Sequence, residues 1–129
     1  MPIRIGCASD YNKNHPPRKS RDKETIILIA NRRFAWVDCD EHILELAPRI
    51  PTLDEWKNST MAPYDWKRFS RKYAAEMKGI KGKKAIMNLR QRSNDGEIIR
   101  LICYENDEDP YCHRYVLKLF IDDPTIIQD

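Results

Sequence analysis

Two short runs that are apolar on both faces restrict the fold most. TIILIAN, residues 25–31, is a continuous apolar stretch rich in β-branched residues, and EIIRLICYE, residues 97–105, sets Ile99, Leu101 and Cys103 against Ile98 and Ile102. A strand with apolar side chains on both faces must be covered on both, as strands inside parallel sheets are. Parallel neighbours are joined by long crossovers, usually helical. The expected fold is therefore an α/β layered domain with a small, largely parallel sheet flanked by helices.

The rest of the chain supplies the other layers. PIRIGCA places Ile3, Ile5 and Cys7 on one face and predicts a first strand, and FAWVDCD at 34–40 reads as another short strand or an extended crossing. Thr52 followed three residues later by Glu55 has the spacing of a capping box, predicting a short helix from near Leu53. Pro63 near the start and Gly79 at the residue after the last turn bracket a longer helix, whose Trp66, Phe69, Tyr73 and Met77 form one apolar stripe. GKKAIMNLRQRSNDG predicts a weaker helix with Ala85, Ile86 and Leu89 inward. Asp109-Pro110 predicts an N-cap and first helical position, with Val116, Leu117 and Phe120 buried in the helix that follows to about Ile121.

At 129 residues the chain has the length of a single domain, residues 1–129, and no apolar run is long enough to span a bilayer. The start MPIRIGCASD has no apolar core followed by a cleavage site, so a cytoplasmic location and reduced thiols are expected. The four cysteines lack the paired short spacing of a zinc ribbon, so neither a metal nor another cofactor is expected.

A net charge of +3 conceals a segregated distribution. Between Lys67 and Arg92 there are ten Lys or Arg against one acid, Glu76, and a second basic loop carries Lys13, His15, Arg18, Lys19, Arg21 and Lys23. At about 100° per residue, Lys67, Arg68, Arg71 and Lys72 lie opposite the apolar stripe, and with Lys83 and Lys84 they define a candidate nucleic-acid face. Solvated Lys and Arg on an amphipathic helix are the ordinary alternative.

Ligands of parallel sheets sit beyond the carboxyl ends of the strands, here the loops after Cys7, Asn31 and Cys103. Asp10 and Tyr11 fall in the first loop, and Arg32 and Arg33 in the second, where guanidinium groups can hold phosphate bidentately. Cys112, His113 and Arg114 open the last helix. A helix N-terminus and neighbouring cations favour a thiolate, whereas Glu105, Asp107, Glu108 and Asp109 oppose it. Packing of Cys112, with Arg114 pairing an acidic loop residue, is the bland alternative.

ICYENDEDPYCHRYVLKLF resembles the C-terminal signature of the family known as domain of unknown function 488: a strand ending in Cys103, an acidic Asp109-Pro110 loop, and Cys112, His113 and Arg114 opening a helix. LAPRIPTLDEWKN followed by YDWKRFSRKYAAEM, and IRIGCASDY at the first strand, are similar to that family's middle and beginning. The resemblance supports a fold and marks a candidate site without implying a particular reaction.

Three readings follow. The leading one is an α/β domain binding a phosphate-bearing ligand, nucleic acid or nucleotide, at the strand-end edge of Asp10, Tyr11, Arg32, Arg33 and Arg114. The second is a hydrolase of a nucleotide derivative, using Cys112 with His113 or an acidic-loop carboxylate. The third is a protein interaction module.

Overall fold

The computed structural model describes residues 3–14, 23–105 and 109–123. His15, Arg18, Lys19 and Arg21 of the second basic loop, Asp107 and Glu108 of the acidic loop, and residues 124–129 lie outside the described residues.

Among the described residues, four strands, β1 (Arg4–Cys7), β2 (Glu24–Leu28), β3 (Glu41–His42) and β4 (Ile98–Cys103), form one sheet in the order β1-β4-β2-β3, with every strand pair parallel. The run FAWVDCD is therefore the extended crossing, and the short strand begins just after it. The two doubly apolar runs are the inner strands, as their composition predicts. Ile27, Ile29, Ile99, Leu101 and Cys103 project into one core, and Ile26, Leu28 and Ile102 into the other.

The helices α1 (Ile50–Lys57), α2 (Pro63–Met77), α3 (Ile80–Asn94) and α4 (His113–Asp122) flank the sheet. Their apolar side chains join the first core, through Trp56, Phe69, Tyr73, Met77, Ile86, Leu89, Leu117 and Phe120. The second core is closed by a 3-10 turn at Ala8–Tyr11 and by extended chain, with Tyr11, Val37 and Cys39 buried against Ile26, Leu28 and Ile102.

Helix starts depart from the sequence expectation. α1 begins at Ile50, and Thr52 Oγ1 donates to Glu76 Oε2 at 2.6 Å instead of capping its own helix. Glu76 also accepts from the Arg49 N–H at 2.7 Å, so the one acid of the basic block secures α1 against α2. α4 starts three residues beyond the expected position. Asp109 Oδ1 takes the Tyr111 N–H at 2.9 Å in a turn, and Cys112 becomes the N-cap.

Ion pairs fix the sheet's amino edge. Glu24 accepts from Arg100 and Arg4, whose hydrogen bonds and charges hold its carboxyl below the ordinary value although burial opposes this. Arg92 pairs with Glu41 and Glu97, so this cation of the basic block is committed to the fold. Arg90 donates to the Ile121 carbonyl of α4. Of the six residues in the candidate nucleic-acid face, Lys67, Arg68, Arg71, Lys72 and Lys84 are exposed and Lys83 is half-buried, while Lys72 pairs with Glu55 at 2.6 Å.

Candidate active site

The carboxyl edge of the sheet is built by chain leaving the ladder. Beyond Leu28, the Ile29 N–H still donates to Ile102 O, but the next carbonyls find side-chain donors: His113 Nε2 lies 2.7 Å from Ile29 O and His42 Nε2 lies 2.6 Å from Ala30 O. A carbonyl only accepts, so each of these nitrogens carries its ring proton. Two histidines thus hold the strand-end segment that leads to Asn31 and Arg32.

Arg114 ties the other loops to this edge. Its side chain has no solvent exposure, and Nη1 donates to Gly6 O at 2.9 Å, Glu105 O at 2.8 Å and Cys103 Sγ at 3.3 Å. Nη2 reaches the Tyr115 hydroxyl at 3.1 Å. β1, β4, the Glu105 loop and α4 therefore share one guanidinium. Burial opposes its charge, but the Tyr115 hydroxyl and the nearby thiols of Cys103 and Cys112 hold its pKa above the ordinary value. Among the described residues, the Glu105 main-chain carbonyl is an acidic-loop partner of this arginine.

Cys112 is 1% exposed, and its Sγ donates to Glu105 Oε2 at 3.4 Å. A hydrogen bond with Cys103, then burial, then the Glu105 charge push its thiol well above the ordinary cysteine range. These forces oppose the thiolate that a helix terminus and neighbouring cations would favour. Cys112 is a neutral thiol here, and its N-cap position places it outside the first turn.

His113 is likewise enclosed, its ring edge-to-face with Tyr73 at 5.4 Å between centroids. Burial lowers its pKa from the ordinary 6.5, outweighing the Ile29 hydrogen bond. The unfolded chain consequently takes up a proton at a higher pH than the folded one. Stability from this group is full above about pH 6.5 and is lost as pH falls towards the folded value. Urea midpoints of the native protein should drop more between about pH 7.5 and 5.5 than those of His113→Asn. Equal drops would show that His113 does not drive this dependence.

A cavity of about 410 Å³ opens at this edge, within the size range of small-molecule sites. Asn31, Arg32, Phe34, Tyr104, Glu105 and His113 line one side, and Leu53, Asp54 and Lys57 of α1 line the other. Tyr104 anchors the rim by donating to Arg32 O at 2.8 Å and accepting from the Phe34 N–H at 3.1 Å. The Asn31 amide nitrogen is buried and has no hydrogen-bond partner among the described residues.

The residues lining the cavity and Arg114 fall within residues 10–125, the stretch matched by the family model DUF488-N3a, described as the active DUF488-N3 subclade. The chain belongs to the DUF488-N3a family. No curated protein and no solved structure matches it.

In this DUF488-N3a chain the expected site residues separate into groups. Arg32 and His113 line the cavity, and Cys112 and Arg114 are packed directly behind Glu105. Arg33 is exposed and points back to Cys39 O at 3.4 Å, and Asp10 is absent from the lining. Tyr11 is 1% exposed in the second core and is absent from the lining, although its loop is expected to border the ligand. None of Lys67, Arg68, Arg71, Lys72, Lys83 and Lys84 lines this cavity. Asn31, Lys57 and Tyr104 join the site without individual sequence signals, although the strand-end rule marks the loops containing Asn31 and Tyr104.

Proposed function

We propose that this protein is a hydrolase acting on a nucleotide derivative, with Glu105 as the reacting carboxylate. The observation that carries the reading is the mounting of Glu105: it lines the strand-end cavity while its main chain is clamped by Arg114 and its carboxylate is held by the Cys112 thiol. A general base is effective when its position is fixed before substrate arrives. Glu105 takes a proton from the attacking water. Arg32 and Lys57 supply cations for the substrate's phosphate, and the Asn31 amide supplies a hydrogen-bond donor. Phe34 and Tyr104, packed edge-to-face with centroids 5.2 Å apart, offer an aromatic rim for the base. The Cys-His-Arg segment positions these groups and leaves attack on substrate to water. The family's description as an active subclade supports an enzyme over a purely binding or docking module.

Mass spectrometry of the protein incubated with nucleoside phosphates, cyclic nucleotides, dinucleotides and sugar nucleotides tests this. Hydrolysis of at least one is expected, with Glu105→Gln slowing it by about 10²–10⁴-fold, the range for loss of an acid–base group. No hydrolysis of any member, or a Glu105→Gln variant as active as the parent, would overturn the proposal.

A further inference from the structure

We propose that Cys103, Cys112 and His113 bind a zinc ion at the wall of the strand-end cavity. One donor atom from each lies within 4.8 Å of those of the other two, and all three residues are buried. Linear spacing conceals the set, because Cys103 ends β4 whereas Cys112 and His113 lie at the start of α4. The fold brings the two sulfurs together.

The histidine keeps one ring nitrogen available as a ligand. Its Nε2–H is committed to Ile29 O at 2.7 Å, which leaves Nδ1 as the ring nitrogen with a free lone pair. Metal-bound histidines commonly donate their other ring N–H to a main-chain carbonyl in this manner, which fixes tautomer and ring direction before the ion arrives. Two sulfurs and one imidazole make a borderline-soft donor set suited to zinc.

The electrostatics balance. On binding, both thiols release their protons, and two thiolates neutralise Zn²⁺. The Arg114 N–H that already points at Cys103 Sγ from 3.3 Å then donates to a metal-bound thiolate. Three protein ligands leave one position of a tetrahedral ion for an exogenous ligand, the pattern of catalytic rather than purely structural zinc. His113 and Glu105 both line the cavity, so the ion sits at its wall. This site goes beyond the proposed hydrolase and engages the sulfur that donates to Glu105 in the metal-free chain, and its binding is read without any substrate.

The test is Co²⁺ titration of chelator-treated, reduced full-length protein, followed by displacement with Zn²⁺. One Co²⁺ per chain is expected, with the visible bands of tetrahedral cobalt and a sulfur-to-cobalt charge-transfer band, both abolished by Zn²⁺. Cys103→Ser and Cys112→Ser should each weaken binding at least tenfold, whereas Cys7→Ser and Cys39→Ser should leave the spectrum unchanged. If a serine variant does not fold, X-ray absorption of the zinc-loaded native chain decides, with two sulfurs near about 2.3 Å and one imidazole nitrogen near about 2.0 Å expected. Absence of a charge-transfer band, a sulfur-free coordination shell, or titrated metal remaining unbound while Cys103 and Cys112 are reduced would overturn the proposal. So would preferential formation of a Cys103–Cys112 disulfide in the presence of equimolar Zn²⁺.

Discussion

Arg114→Met will destabilise the fold by about 3 kcal/mol or more, read as a fall in urea midpoint at unchanged slope. Methionine fills much of the same volume, so the loss reports hydrogen bonding more than a cavity. The guanidinium serves Gly6 O, Glu105 O, Cys103 Sγ and the Tyr115 hydroxyl from a fully buried position. Removing it abandons buried acceptors on three separate segments, each carrying a desolvation penalty of about 1–3 kcal/mol unless water enters. Arg114→Lys keeps the charge but loses the planar fork, and should recover only part of the stability. An Arg114→Met variant within about 0.5 kcal/mol of the parent would mean that the clamp is not energetically important.

The second large effect concerns the aromatic packing beneath α4. Trp56 meets Trp66, Phe69 and Tyr111 at centroid distances of 5.3, 6.1 and 5.6 Å, joining α1, α2 and the loop before α4. It is 8% exposed, and Trp56→Ala should cost about 3–5 kcal/mol. Trp66 stacks on Phe69 at 5.1 Å but is only half-buried, so Trp66→Ala should cost less. Thermal denaturation of the two variants checks the order. A reversed order would place the centre of this cluster on α2 rather than at the α1–α2 junction.

That contrast illustrates what pattern reasoning can reach. The 3.6-residue spacing correctly sets Phe69, Tyr73 and Met77 inward and Lys67, Arg68 and Arg71 outward, because periodicity encodes a face. Periodicity does not encode which residue of that face meets another helix. Trp66 therefore reads like its buried neighbours, while Trp56 on a short helix gives little warning. The inner strands were legible for a related reason: only strands covered on both sides tolerate runs such as TIILIAN.

The site was legible in location, while the contacts that decide the chemistry of Cys112 were not. The strand-end rule points to the loops carrying Arg32, Glu105 and His113, and the cavity is there. Local sequence places Cys112 beside a helix terminus and two cations, which suggests a reactive thiolate. Glu105, in the acidic loop, opposes this already in the sequence; the stronger opposing effects are long-range, Cys103 arriving from β4 and burial by the fold. Asp109-Pro110 misleads for the same reason. Its turn is satisfied locally, and α4 starts only where His113 and Arg114 can enter the interior.

The central claim is that the Cys-His-Arg segment is a buried mount for Glu105 and not a nucleophilic thiol. Alkylation of the native protein by iodoacetamide near neutral pH, mapped by peptide mass spectrometry, tests it most directly. Cys112, hydrogen-bonded to Glu105 and almost wholly enclosed, should label only at the rate of unfolding and should become rapidly reactive in denaturant. Fast, selective alkylation of Cys112 in the folded chain, rising through a pKa below the ordinary value of about 8.5, would contradict the claim and make Cys112 the nucleophile.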